Sequence, residues 1–308
     1  MIHGVLSRLL SAMVVVVGVS VLVFLLIHLV PGDPVEVMLG EGARPADRAQ
    51  LEQALGLHQP LTVQLTDYFS GLARGDLGES LHSRQAVAEV IAGRLPATVV
   101  LALAALAVAL VLAVPLGLIA AVRPDSPWDS GAMTFSMVGV SIPNFVLGPL
   151  LILLFSVHLG WLPVSGWEGP ASLVLPAVTL GTAMAAILSR MVRAALLDVL
   201  GEDYIRTARA KGLDELTIVV RHGLRNAALP VITVVGLQLG TLLGGAVITE
   251  TVFAWPGIGQ LTVEAIQRRD YPVLQGCILV ISLAYVVINT LTDLAYGVLD
   301  PRVRTGVS

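Results

Sequence analysis

The stretch YIRTARAKGLDELTIVVRHGLRNAALP, from Tyr204 to Pro230, is basic, water-soluble and helix-prone, and it lies between two apolar spans. It carries Arg206, Arg209, Lys211, Arg221 and Arg225, and Lys211 is the only lysine in the chain. A membrane chain that places such a segment in one loop presents a large contact surface on that side. What that surface meets decides the function.

The surrounding composition makes this a membrane chain. Of 308 residues, 56% are hydrophobic and only 13% charged, with a mean hydropathy of +0.85. A soluble domain carries roughly a quarter charged residues. The deficit means that lipid surrounds much of the chain. The net charge of −4 is unevenly spread. Cys277 is the only cysteine, which excludes an intrachain disulfide and a cysteine metal cage, and its apolar run makes it a small core filler.

A helix needs roughly 20 apolar residues to cross the hydrocarbon. Six stretches qualify: Leu9–Val30, Ala97–Val122, Gly131–His158, Ser172–Leu188, Val231–Thr249 and Val273–Ala295. The first is longer than the h-region of a signal peptide, roughly 7–15 residues. It runs into Val30-Pro31-Gly32-Asp33-Pro34, not a small-residue cleavage site, so it reads as a retained anchor. The organisation expected is therefore an anchor over 1–30, an extracytoplasmic segment over 31–95, and a core over 96–308 with five further spans and the loop 190–230.

Arginine sets the orientation. With both termini inside, the inner segments hold Arg8, Arg123, the seven basic residues from Arg190 to Arg225, Arg302 and Arg304. The short outer loops hold only Arg268 and Arg269. Segment 31–95 has five arginines against nine acids, but long loops translocate largely regardless of charge. The basic loop is thus expected in the cytoplasm. Within 31–95, Leu61, Leu65, Tyr68 and Leu72 recur at helical spacing, as do Val87, Val90, Ile91 and Leu95. Short amphipathic helices on the bundle mouth and a docking surface for a soluble partner both fit that pattern.

Enzyme chemistry finds no support. The sole lysine is followed by Gly212, so no P-loop exists, and H-E-x-x-H and G-x-S-x-G are absent. His3, His28, His58, His82, His158 and His222 are scattered without ligand-like spacing. Ser141, His28 and Asp293 lack the spacing of an intramembrane catalytic set.

Polar groups at membrane depth need a reason. Ser141, Pro143 and Asn144 fall within the third span, Gln238 in the fifth, and Asn289, Thr290 and Asp293 in the sixth. They either fix helix packing or line a hydrated path; Ser141, Asn144, Gln238 and Asn289 are the pore candidates. Gly236, Gly240 and Gly244 form a small-xxx-small stripe that admits a close helix, from this chain or another. In the basic loop, Ala208 and Gly212 stand four apart, the spacing of one helix face. That small face would settle into a groove, with Arg206, Arg209 and Lys211 paired to acidic partner residues.

Thr207-Ala208-x-x-x-Gly212 resembles the A-A-x-x-x-G core of the EAA loop of ABC-importer permeases. Arg206 stands where the general motif has Glu, Thr207 replaces an Ala, and the distance to Leu229-Pro230 is long. These departures resemble the dipeptide/oligopeptide/nickel branch, the DppB type. So do Val30-Pro31-Gly32-Asp33-Pro34, Gly75-Asp76-Leu77-Gly78-x-Ser80, Arg94-Leu95-Pro96-Ala97-Thr98 and Ser141-Ile142-Pro143-Asn144-Phe145. Glu250-Thr251-Val252-Phe253 with Pro256-Gly257-Ile258-Gly259, Arg269-Asp270-Tyr271-Pro272-Val273 with Gln275-Gly276, and Leu299-Asp300-Pro301-Arg302-Val303-Arg304 continue the match to the tail.

The resemblance implies an all-α polytopic fold with six transmembrane helices, that of a type I importer permease, in the bacterial inner membrane. It implies half of a translocation path, completed by a second, DppC-like permease. Two ATPase subunits would hold ATP and Mg, a binding protein would deliver the ligand, and this chain would bind no cofactor and no nucleic acid. The ATPase-coupling residues would be Tyr204, Arg206, Thr207, Ala208, Arg209, Lys211, Gly212 and Leu213. The cargo stays open among dipeptides, oligopeptides, nickel chelates and haem-like ligands. An ion-coupled secondary transporter is the alternative, and it requires internal repeats and a buried coupling carboxylate.

Overall fold

The computed structural model describes residues 2–29, 34–40, 42, 44–54 and 58–299. The stretches 30–33 and 300–308 lie outside the described residues, as do the side-chain surroundings of Arg8, His28, Gly244 and Asp293. The chain divides into two compact units, Met1–Thr98 with Pro256–Val286, and Val99–Trp255 with Val287–Ser308.

The first unit holds α1 (Ile2–Leu29), α2 (Pro34–Leu39), α3 (Pro45–Ala54), α4 (Leu61–Ala73) and the start of α5 (Val87–Val122). Val87, Val90, Ile91 and Leu95 do not form a separate short helix. They are the opening turns of α5, which runs on through Gly93 and Pro96 into the apolar stretch without a break. On α4, Tyr68 packs against Phe24 with ring centroids 5.5 Å apart, and burial pushes its hydroxyl pKa up to about 12.

The core of this unit gathers Val87, Ile91, Ile258, Leu261, Ala265, Val273 and Cys277. It also contains α12 (Ile258–Arg268), an amphipathic helix that span-counting overlooks because only one face is apolar, and most of α13 (Tyr271–Leu299). Gly276 lets α13 touch α5: an added Cβ would stand 2.7 Å from Val87 Cγ1. Thr98 Oγ1 accepts the Ile258 N–H (2.8 Å), satisfying an otherwise open donor at the start of α12.

Asp270 is the polar centre of the unit. Its carboxylate accepts from Ser80 Oγ (2.5 Å) and from the Leu81 N–H (3.2 Å), and it is buried. Asp270→Ala removes the acceptor and leaves buried donors unmet, a cost of about 1–3 kcal/mol. It is expected to lower the thermal midpoint of the detergent-solubilised protein clearly more than Leu81→Ala, which keeps every one of these bonds. Equal midpoints would contradict this role.

The second unit is built around α8 (Pro170–Leu200), which follows α6 (Pro127–Ser141) and α7 (Asn144–Leu151) with its wider continuation Ile152–His158. Helix α8 is 61% buried along its most apolar stretch, against 22–28% for the other long apolar helices, which makes it the hub of the unit. Small residues permit this. A Cβ at Gly181 would lie 2.7 Å from the Ala105 carbonyl oxygen, and one at Gly117 would lie 2.7 Å from the Ser189 carbonyl oxygen. Helix α8 continues twelve residues beyond the span expected to end at Leu188. It is followed by α9 (Asp203–Ala210), α10 (Glu215–Thr217), a wide turn Ile218–Gly223 and α11 (Leu224–Val252).

Among the described residues, four helices are long and apolar enough to cross a membrane: Val87–Val122, Pro170–Leu200, Glu215–Leu242 and Tyr271–Thr292. The third expected span, Gly131–His158, is not one straight helix. Helices α6 and α7 meet at a 101° bend, because Pro143 has no N–H to donate and Ile142 is extended (φ −91°, ψ 113°). The described apolar part of α1, Met13–Leu25, is shorter than a span.

Candidate functional site

Helix α9 points two apolar side chains inward. Ile205 and Ala208, three apart, are buried against Ile218 and Leu200, so the helix is fastened to its own chain. Its other face is open, with Tyr204, Arg206, Thr207 and Lys211 exposed. The helix stops by a paired closure. The Gly212 N–H donates to Arg209 O (3.0 Å) and the Leu213 N–H to Ala208 O (3.3 Å), with Gly212 at φ +78°.

This geometry corrects the shared small face. Gly212 lies beyond the helix end, and Ala208 faces inward to Ile205 and Ile218 rather than outward. Gly212 is favoured here by its left-handed backbone and not by crowding, since nothing lies within 4 Å of an added Cβ.

Arg209 is also placed differently from the expectation that it pairs outward. Its Nε and Nη2 donate to the two carboxylate oxygens of Glu215 at 2.7 and 3.2 Å, folding the turn 211–214 back on α9. Asp214 caps α10 by accepting the Thr217 N–H (2.9 Å), which holds its carboxyl below the usual carboxylate range. The Tyr204 hydroxyl accepts from Asn226 Nδ2 (2.7 Å), tying α9 to α11. Lys211, Leu213 and Leu216 remain outward, Leu216 at 72% exposure. A hollow of about 340 Å³ is lined by Ala121, Val122, Leu197, Leu200 and Val219 together with Arg209 and Glu215.

A second charged contact lies at the foot of α6. Asp129 binds Arg193 of α8 through two hydrogen bonds of 2.6 Å each and accepts the Asp125 N–H (3.0 Å). Ser126 caps α6 by accepting the Asp129 N–H (3.3 Å), and Pro127 opens the helix.

The pore candidates are dispersed. Ser141 and Asn144 flank the bend rather than the middle of a straight span, and the Ser141 hydroxyl donates back to Met137 O (2.7 Å). Gln238 on α11 and Asn289 on α13 are half-buried. Among the described residues, the side chains of Asn144, Gln238 and Asn289 make no hydrogen bond within the chain. Gly236 meets Thr292 of α13 so closely that an added Cβ would overlap that side chain. The neighbour of this glycine is therefore within the chain. Gly240 is buried, while the surroundings of Gly244 lie outside the described residues.

A family model described as "Binding-protein-dependent transport system inner membrane component" matches residues 113–305, and the model for the N-terminal part of such components matches residues 1–102. The chain belongs to this family. The permease is 45% identical to the glutathione transport system permease protein GsiC of Escherichia coli (strain K12), over 99% of both chains. It is 46% identical to the di/tripeptide transport system permease protein DppB of Pseudomonas aeruginosa (strain UCBPP-PA14), over 93% of this chain and 94% of that one. The dipeptide transport system permease protein DppB of Escherichia coli (strain K12) is 42% identical over 99% of both. Among solved structures, an inward-facing form of the MetNI methionine ABC transporter superposes with a TM-score of 0.59, covering 68% of this chain and 96% of that one, and at 20% identity it shows the shared fold alone.

The permease is thus a multi-pass inner-membrane subunit of an ATP-driven ABC importer, with an all-α polytopic fold. Permeases of this family are non-catalytic, and ATPase activity lies in partner subunits. Nothing found favours the ion-coupled alternative. Sequence reasoning missed three contacts in the permease: Arg209 with Glu215, Tyr204 with Asn226, and Asp129 with Arg193. Only the last left a local sign, the Ser126-Pro127-x-Asp129 helix start.

Proposed function

We propose that the outer face of α9 with the turn to Leu216 is the surface on which an ATPase subunit docks, and that the permease carries small peptides. The supporting observation is a helix fastened inward by Ile205 and Ala208 while Arg206, Lys211, Leu213 and Leu216 stay outward. A fastened helix transmits a push, whereas a free loop absorbs it. In this reading both termini and the loop are cytoplasmic, as the arginine distribution favours. Two ATPase subunits hold ATP and Mg, a second permease of the same kind completes the path, and a binding protein delivers the ligand outside. Ser141, Asn144, Gln238 and Asn289 line the path: the three amides are half-buried without a side-chain partner among the described residues and so are free to meet water or a peptide backbone, and Ser141, exposed beside the bend, still offers its hydroxyl oxygen as an acceptor. The relatives named for glutathione, dipeptides and di/tripeptides support a small-peptide cargo.

Two measurements test this. In the assembled importer, Lys211→Cys and Leu216→Cys are expected to cross-link to an ATPase subunit through a short bifunctional thiol–amine reagent, and His82→Cys is not. Absence of cross-links at both loop positions in an assembled importer defeats the docking reading. A labelled dipeptide is expected to enter cells that express the whole importer and not cells lacking this chain; equal uptake defeats the cargo reading.

A further inference from the structure

Helix α8 leads into the basic loop, and α6 leads into the bend at Ile142–Pro143. Three contacts join these helices in antiparallel order. Asp129 binds Arg193 next to the α5–α6 turn, the hydroxyls of Ser136 and Ser189 hydrogen-bond at 2.7 Å midway, and Gly139 approaches Ala186 nearest the bend. An added Cβ at Gly139 would lie 3.0 Å from Ala186 Cβ, so the helices are in close contact there.

The charged contact is the unusual member. The Asp129 side chain is 6% exposed and that of Arg193 26%. Its two short bonds use both carboxylate oxygens and one edge of the guanidinium. The same carboxylate holds Asp125, a non-glycine residue at φ +57°, so the strained turn before α6 is drawn into the contact. A largely desolvated ion pair adds little net stability over apolar packing of similar shape, and its best-attested use is to fix register. Along the same seam the single neutral Ser136–Ser189 bond resists sliding by one turn only modestly, and the glycine does not oppose it. The ion pair does, because a shift of one turn, about 5.4 Å, would separate both charges.

Resting on the reading of α9 as the ATPase contact, we propose that Asp129 and Arg193 are positioning residues for transport. Their bidentate pair locks the register of α6 on α8, so that a displacement of the basic loop reaches the bend at Ser141–Asn144. The lock couples ATP turnover to opening of the path. It is not required for ATPase docking, because neither residue lies on the outward face of α9.

The test uses the whole importer in proteoliposomes with its binding protein, ATP and a labelled dipeptide. Uptake and ATP hydrolysis are read together. Asp129→Asn keeps the size and removes the charge. It is expected to leave ATPase association and hydrolysis within about twofold and to lower uptake about tenfold, the scale of an ordinary coupling between two sites. Ser136→Cys with Ser189→Cys then supplies a different lock. Two equivalents of copper(II)–phenanthroline take one electron each from the facing thiols, the two thiol protons pass to water, and a disulfide forms between α6 and α8. In the Asp129→Asn background this bond is expected to restore uptake, which a role confined to folding would not produce. Unchanged coupling in Asp129→Asn, or no restoration by the disulfide, overturns the proposal. If Asp129→Asn does not assemble, the cysteine pair is oxidised with Asp129 intact. Undiminished uptake then supports one body, and abolished uptake means that α6 slides on α8 and overturns it. Failure of the docking reading is separate and appears as missing cross-links from Leu216→Cys in the unlocked importer.

Discussion

Importers carrying Gly212→Val are expected to lose most of their peptide uptake, while Gly212→Asn retains it. The backbone at Gly212 sits at φ +78°, and no atom lies within 4 Å of an added Cβ. A Cβ there meets no atom among the described residues, and the cost is conformational. For a β-branched residue in the left-handed region it is about 1–2 kcal/mol or more, and Asn pays much less because its amide bonds locally. About 1.4 kcal/mol is a tenfold change in population. Val at this position therefore leaves the closure open in a large share of molecules. The Gly212 and Leu213 N–H groups release Arg209 O and Ala208 O, and the turn carrying Glu215 moves away from Arg209. The outward face of α9 is then presented at the wrong angle. Uptake and ATPase co-purification measured on the three proteins decide the cause. Loss in Gly212→Asn equal to that in Gly212→Val would mean that the docked partner needs bare backbone at this position, and the conformational account would be wrong.

That contrast also marks where sequence reading stops. The existence of the loop was legible, because five basic residues between apolar spans have no place in lipid. Its inner and outer faces were not. Spacing of four between Ala208 and Gly212 names a shared face only if the helix continues, and a glycine is as apt to end a helix as to lie in it. The signs of Arg209 and Glu215 were visible, but their meeting depends on a turn whose course comes from that ending. The bend between α6 and α7 had a local cause in Pro143, yet the apolar run on both sides hid it, since hydropathy does not register direction. Helix α12 was hidden for the opposite reason: it is amphipathic and short, and it buries Ile258, Leu261 and Ala265 in a core assembled from distant segments. Asp270 illustrates the long-range part. Its partner Ser80 is 190 residues away in the chain, and no periodicity links them.

Replacement of Gly181 by Leu is expected to abolish accumulation of folded permease in the membrane, and Gly117→Leu to do the same, while Gly131→Ala accumulates normally. The first two glycines lie where α5 and α8 run side by side. At Gly181 the added Cβ alone would sit 2.7 Å from the Ala105 carbonyl oxygen and 2.7 Å from Val108 Cβ. At Gly117 it would sit 2.6 Å from Val192 Cβ and 2.7 Å from the Ser189 carbonyl oxygen. Each obstacle includes backbone, which cannot rotate aside as a flexible side chain does. Relief requires the helices to separate, and α8 is the buried hub against which α6, α7 and α11 also pack. Overpacking of a closed core usually costs about 1–3 kcal/mol, and more when backbone must shift. In lipid the loss is sharper, because helices there associate through close packing rather than through hydrophobic expulsion. Gly131 on α6 has nothing within 4 Å of an added Cβ, so Ala gains helix propensity without a clash. Immunoblots of membrane fractions with size-exclusion profiles in mild detergent measure the outcome. Monodisperse Gly181→Leu protein at normal abundance would show that α5 and α8 do not meet at this distance in the membrane, and would remove α8 from the centre of the bundle.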